Sequence, residues 1–273
     1  MIEITWTGAA GLIISSGEHT VCIDPFVTRP GKMDVFFKRL HPDETAIENF
    51  TKGLKGNVPA IVVSHTHFDH ALDVPEIARR LGCRVFGSTS LERLMEISGQ
   101  PGRTRVCKYH EHFELADGIS LTMFPSLHGR VFLGRVPYEG EIMQNMHLPF
   151  RAGDYRLGDI YMPRIEIGGI SIMHAGSAGC SVADLEGWKC DVLFMCVPGW
   201  KRSPDYTSAL LKTLRPGIIV PFHYDDFTMP LSPCMMPRVM PFSDMKGFMK
   251  RIAHVLPGAV IQIPLPYSPM EFE

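Results

Sequence analysis

Short apolar runs recur along the chain with two periods, and the period assigns each run to a strand or a helix. Residues 2–6, 11–15 and 20–23 read as brief β segments parted by Gly and Ser, with turn chemistry at Ser16-Gly17-Glu18. An irregular stretch follows. Residues 60–64 form a continuous apolar run of strand length, and 73–81 place Val74, Ile77, Ala78 and Leu81 at helical spacing. Residues 84–87 read as a strand, and 89–97 as a helix stopped by Gly99 and Pro101. Further on, 119–124 alternates as a strand does, 165–174 reads as strand, Gly-Gly turn and strand, and 191–197 is an apolar strand. Ser203-Pro204 offers a helix start, a capping hydroxyl followed by proline at the first helical position, leading into 205–214. Residues 218–221 form a strand, 243–255 a helix and 259–263 a last strand.

Strands interleaved with helices in both halves predict an α/β (α+β) chain, its sheets covered by helices. No Ser/Gly-rich linker divides it, so residues 1–273 are expected to form one domain. Two segments break the regularity, 129–163 with its Gly, Pro, Arg and Tyr, and 227–242 with its prolines and methionines. Long irregular segments in compact domains often carry function, so both are expected to wall a substrate pocket.

Charge narrows the classes of partner. Lys and Arg number 27 against 29 Asp and Glu, a formal net charge of −2, so no basic stripe awaits a nucleic acid. A small molecule is the expected partner; oligomeric state is not legible. The first residues lack a basic region followed by an apolar core, and no apolar run reaches membrane-spanning length, so a cytoplasmic protein is expected. Seven cysteines, never in a C-x-x-C pair, fit reduced and mostly buried thiols. Cys180 stands out only by lying near a possible site loop.

The chemistry concentrates in Ser64-His65-Thr66-His67-Phe68-Asp69-His70, which follows the strand of residues 60–64. A strand sends alternate side chains to one face, so His65, His67 and Asp69 are expected to point together while a turn brings His70 around. Imidazole and carboxylate suit zinc first, with manganese or iron as alternatives, and such an ion lowers the pKa of a bound water. Asp24 ends a strand at a Pro turn, where its carboxylate can accept loop amides or orient a histidine. His128 and His223 each follow a strand end, as His65 does, and the shared placement predicts convergence on one site.

At these residues the chain resembles the metallo-β-lactamase superfamily, whose pattern is a strand-end Asp, His-x-His-x-Asp-His, and then a His, an Asp and a final His, each after a strand. Thr5-Trp6-Thr7-Gly8 and Val220-Pro221-Phe222-His223-Tyr224 are similar to the branch that includes L-ascorbate-6-phosphate lactonase. The resemblance implies a four-layer αββα sandwich and one or two divalent ions, His65, His67 and His128 holding one and Asp69, His70 and His223 a second. One position departs from the pattern: Ser177 stands where the family's bridging Asp belongs. A neutral serine cannot supply that carboxylate, and weaker metal retention is expected. His174 is expected to support the ligands rather than join them.

The implied activity is hydrolysis of an ester, lactone, amide or phosphoester by metal-activated hydroxide, with Asp69 orienting the nucleophile or handling its proton. Histidine at position 67, where the diiron oxygen-reductase branch carries glutamate, favours hydrolysis over redox chemistry. The alternative is a metal-binding scaffold or sensor whose turnover is impaired by Ser177. Among Arg130, Arg135, Tyr138, Arg151, Tyr155, Arg156 and Arg164, the pair Arg151 and Arg156 is expected to clamp an anionic substrate, because it flanks the Gly153-Asp154-Tyr155 turn. Met229, Met235, Met236, Met240, Met245 and Met249 are read as gap-fillers in the core rather than an acyl-chain wall.

Overall fold

The apolar runs assemble into two seven-stranded sheets. The computed structural model describes residues 1–131, 133–203, 205–241 and 243–272. Its first half supplies β1 (Ile2–Gly8), β2 (Gly11–Ser15), β3 (His19–Ile23), α1 (Lys32–Phe37), α2 (Glu44–Gly53), β4 (Asn57–Val62), α3 (Phe68–Ala71), α4 (Val74–Leu81), β5 (Arg84–Gly87), α5 (Thr89–Ile97) and β6 (Thr104–Val106). The second supplies β7 (Glu111–Ala116), β8 (Ile119–Pro125), β9 (Tyr161–Ile167), β10 (Ile170–Ala175), β11 (Val192–Cys196), α6 (Tyr206–Leu214), β12 (Ile218–Phe222), α7 (Met245–Val255), β13 (Val260–Ile261) and β14 (Pro269–Phe272). One sheet runs β14-β1-β2-β3-β4-β5-β6 and the other β13-β12-β11-β10-β9-β8-β7.

Strand alternation divides the core into layers. Along β3 and β4, Val21, Ile23, Ala60 and Val62 enter the cluster shared with the second sheet. Cys22 and Ile61 face the other way, into a cluster with Ile47 and Phe50 of α2, Ile77 of α4 and Leu91 and Leu94 of α5. Leu210, Leu211, Phe248 and Ile252 lay α6 and α7 against the second sheet. The result is the α/β sandwich expected, helix, sheet, sheet, helix.

Several elements differ from the sequence reading. The irregular stretch before β4 contains α1, which buries no residue, and α2, which buries only Ile47 and Phe50. Each offers too few buried apolar positions to stand out from the irregular stretch. Strands β6, β7 and β14 are short or half-exposed edge pieces. Ser203 does not cap α6; that position falls to Asp205, at φ +66°, with no side-chain cap bond, and Pro204 lies outside the described residues. Helix α7 starts two residues late because the Asp244 carboxylate takes the Gly247 N–H at 2.8 Å. The described parts of 129–163 and 227–242 hold little regular structure, and Phe242 lies outside the described residues.

One buried ion pair ties the end of β12 to the first half. Asp225 accepts the Ala9 amide at 2.9 Å and the Arg29 guanidinium at 2.6 Å, and Arg29 also donates to the carbonyls of Asp226 and Met229. Removing one member of such a pair leaves the other charged and buried. Asp225→Ala is therefore expected to lower the unfolding free energy by about 3–5 kcal/mol. Urea denaturation measures it, and a loss below about 1 kcal/mol, the scale of exposed pairs, would contradict the role.

Candidate metal centre

The site begins where β4 stops. Asp24, at the end of β3 and with a φ of +45°, turns its carboxylate across to the neighbouring strand end. It accepts the Ser64 N–H at 2.7 Å and the Ser64 hydroxyl at 2.5 Å, so the chain leaves the ladder there. His65 and His67 consequently lie in a loop. Asp69 and His70 sit on the single turn of α3, closed by the His70 and Ala71 amides on the His67 carbonyl at 3.0 and 2.9 Å. This corrects the alternation expected of an extended segment, because the helical turn takes Asp69 away from His65 and His67.

Two sets of three side chains result. The potential donor atoms of His65, His67 and His128 lie within 4.8 Å of one another, as do those of Asp69, His70 and His223. The sets adjoin, with the His65 and His70 ring centroids 3.9 Å apart. His128 arrives from the end of β8 and His223 from the end of β12, where a φ of +60° swings it toward Asp69. Its Nε2 is 3.3 Å from Asp69 Oδ2.

Four of these imidazoles are held from behind. His65 Nδ1 meets the Ser64 hydroxyl at 3.1 Å, His67 Nε2 the Pro137 carbonyl at 3.1 Å, His70 Nδ1 Asp24 at 2.7 Å, and His128 Nδ1 the Gly129 carbonyl at 2.7 Å. A ring whose outer nitrogen donates presents an unprotonated inner nitrogen, the form that binds a cation. His65 Nε2 is buried with no partner among the described residues, as is His223 Nδ1. Buried nitrogens without a hydrogen-bond partner, beside an ionised carboxylate, are the donor set that a divalent ion requires, and the residues fit such an ion.

Burial sets the charge states. It lowers the pKa of His65 well below the ordinary value, that of His67 to about 3 and that of His128 to about 4, with neighbouring imidazoles adding to the effect. The second set behaves oppositely. Burial disfavours charge on His70, yet the Asp24 and Asp69 carboxylates outweigh it and raise its pKa. Burial likewise opposes charge on Asp24 and Asp69, and the facing histidines win, holding both carboxyls below the usual range.

The other expected residues scatter. Ser177 is buried near His128, its hydroxyl accepting the Gly129 N–H at 3.0 Å. His174 is buried with Nε2 2.8 Å from the Ala10 carbonyl and 3.8 Å from Asp24, behind the ligand sets rather than within them. Arg151 and Arg156 are exposed and spend their guanidiniums elsewhere, on the carbonyls of Phe37 at 3.2 Å and Glu139 at 3.5 Å, so no contact brings the expected clamp to the histidines. Arg164 pairs with Glu166 and lies over Trp188. Of those arginines and tyrosines, Tyr138 reaches the cluster, its ring 6.0 Å from that of His67 and next in the chain to the Pro137 carbonyl that His67 meets. Met229, Met235 and Met236 are exposed and fill no gap, against expectation. Burial raises the Cys180 thiol to about 11, which leaves it unreactive. Sequence reasoning missed Ser64 as a participant; its place between Asp24 and the first histidine was the available signal.

The charge states make stability pH-dependent once divalent ions are stripped by a chelator. Below pH 6.5 the unfolded chain protonates His65, His67 and His128 while the folded one resists, so stability falls as pH drops from 6.5 toward about 3–4. His70 works the other way, since its raised pKa adds stability below 6.5 that is lost as pH rises; three groups against one give a net loss in acid. The midpoint of thermal unfolding is expected to fall steadily between pH 7 and pH 4.5, and less steeply in His67→Gln. A flat profile would contradict these charge states.

A family model described as a beta-lactamase superfamily domain matches residues 3–223. A metal-dependent hydrolase of Methanosarcina mazei is 26% identical over 239 residues, covering 83% of this chain and 84% of its own. One from Ignicoccus hospitalis is 24% identical over 237 residues, with 83% and 84% covered. Among solved structures, a metallo hydrolase from Ignicoccus hospitalis superposes with a TM-score of 0.63 at 18% identity, covering 100% of this chain and 98% of that one. An isothiocyanate hydrolase from Delia radicum gut bacteria gives 0.61 at 19% identity, with 99% of both chains covered. At these identities the structures testify to the fold, and the family match, together with the strand-end order of Asp24, His65 to His70, His128 and His223, places the chain in the beta-lactamase superfamily.

Proposed function

We propose that the protein is a metal-dependent hydrolase acting on a small ester, lactone or phosphoester, with one or two divalent ions held by His65, His67 and His128 and by Asp69, His70 and His223. One observation carries the reading: four imidazoles are fastened by their outer nitrogens and turn their inner ones toward two adjoining sets. The names of the Methanosarcina and Ignicoccus relatives agree with it. Nitrogen donors with a single carboxylate favour zinc, with manganese or iron as alternatives. The lactonase-like branch supplies the narrower proposal of a lactone or phosphoester. No helix among the described residues is long and apolar enough to cross a membrane. The seven free cysteines suit the cytoplasmic location we propose.

Bound ions would bring a water toward neutral pKa and polarise the substrate oxygen. The chain's own residues do the rest. Asp69, ionised at neutral pH, accepts a hydrogen from the attacking water and turns its lone pair to the substrate. His65 and His67 stay neutral, so neither repels a cation nor donates a proton prematurely. The near-complete burial of His65, His70 and His223 restricts the centre to a small electrophilic group, with Tyr138 as one wall.

Elemental analysis of purified protein is expected to find zinc or a related ion. The double variant H65A/H67A should lose at least part of it, and hydrolysis of an ester, lactone and phosphodiester panel should fall by more than the ~10–100-fold typical of losing an outer partner. Unchanged metal content in that variant defeats the assignment. An ion-loaded native protein inert on the whole panel would favour a scaffold or sensor, the reading that Ser177 motivates.

A further inference from the structure

His128 is the one member of its set that comes from the second sheet, and it sits in a loop rather than on a strand. The position of its ring therefore depends on whatever fixes residues 126–129. Besides the Ser126 N–H on the Ile160 carbonyl at 3.0 Å, that support is the segment 177–179, which lies back to back with it. The Ser126 hydroxyl donates to the Gly179 carbonyl at 3.2 Å, and the Gly129 N–H donates to the Ser177 hydroxyl at 3.0 Å. The close approach requires glycine at 179 and leaves little room for a side chain at 129. A Cβ on Gly129 would stand 3.0 Å from the Ala178 Cβ, and one on Gly179 would stand 2.4 Å from the Leu127 carbonyl oxygen.

The two hydrogen bonds on Gly129 run in series. Its N–H is taken by Ser177, and its carbonyl takes the Nδ1–H of His128 at 2.7 Å. These groups belong to the two successive peptide units that meet at Gly129, so pinning the N–H holds the unit attached to His128, while the carbonyl of the next unit sets which ring nitrogen faces His65 and His67. The hydroxyl where the family carries a bridging carboxylate thus has a partner of its own in this chain.

We infer that Ser177 is a positioning residue: by accepting the Gly129 amide it orients the His128 imidazole, so that His65, His67 and His128 bind a divalent ion without a carboxylate shared with Asp69, His70 and His223. The inference rests on the metal-binding reading above. It assigns Ser177 a role in place of a loss, because geometry supplied through Gly129 substitutes for the missing charge.

The test isolates the three-histidine set with His223→Ala, which removes a ligand from the other, and titrates chelator-treated protein with zinc and cobalt(II) ions against a chromophoric competitor. H223A is expected to retain one ion. Adding Ser177→Ala should raise the dissociation constant of that ion ~10–100-fold, the range seen when an outer partner of a ligating histidine is lost. In parallel, long-range proton–nitrogen spectra of the histidine rings in the metal-free native and S177A proteins should show the His128 signals alone changing tautomer balance or broadening. A dissociation constant within about twofold of the parent overturns the inference, as does a weakened site with unaltered His128 signals. Loss of all binding in H223A overturns the claim that the set stands by itself. A native protein that binds no ion defeats the functional reading instead, and the ring spectra then decide the orienting role separately.

Discussion

Asp24 is a fully buried carboxylate, and the geometry of the centre hangs on how it is satisfied. Removing a charge from water costs several kcal/mol even after relaxation, so such a group persists only when its oxygens are filled. Here they take the Ser64 amide, the Ser64 hydroxyl and the His70 Nδ1–H. Each bond has a consequence beyond satisfying the acid. The first ends β4, the second leaves the Ser64 oxygen free to accept from His65 Nδ1, and the third commits His70 to presenting Nε2. One residue at the end of β3 thereby sets the orientation of two histidines that precede and follow the start of α3.

The remaining candidate ligands are brought in by topology. Strands β10, β11 and β12 run parallel, as do β3, β4 and β5, so the loops after them open along shared edges. The two edges are then fastened to each other. The Tyr161 amide binds the Ser64 carbonyl at 2.8 Å, the Thr66 amide binds the Leu157 carbonyl at 3.0 Å, and Tyr224 packs on Trp6 with ring centroids 5.0 Å apart. These bonds flank the histidines on both sides. The separation of β8, β4 and β12 is thus fixed by the packed core between the sheets, and the candidate ligands inherit its rigidity.

How much of this the sequence could show follows from the range of each interaction. The strand ends, the helices α4 and α5 and the apolar layers were legible, since periodicity reports which face of a local element is buried. The six clustered residues were legible by order, because the His65-to-His70 segment, His128 and His223 each follow an apolar run. The split of the two sets could be had only from the family pattern, for the alternation of an extended segment points Asp69 the wrong way. Arg151 and Arg156 misled because a turn flanked by arginines says nothing about which way it faces; Arg151 faces α1, an element with no buried residue to betray it. Ser177 was legible as a departure but not as a partner of Gly129, a bond across 48 residues that no local pattern encodes.

The two ligand sets differ in what would hold a cation. Asp69, His70 and His223 carry one carboxylate directly and a second, Asp24, behind His70, so electrostatic attraction favours an ion there before geometry is counted. His65, His67 and His128 are backed by a hydroxyl and two carbonyls, neutral groups that orient a ring without adding charge. That set depends on preorganisation, and preorganisation is what a loop ligand such as His128 lacks unless its backbone is pinned. The hydroxyl of Ser177 does the pinning at the position where charge would otherwise have been supplied, which explains how a neutral residue can occupy it while the geometry of all six candidate ligands is maintained.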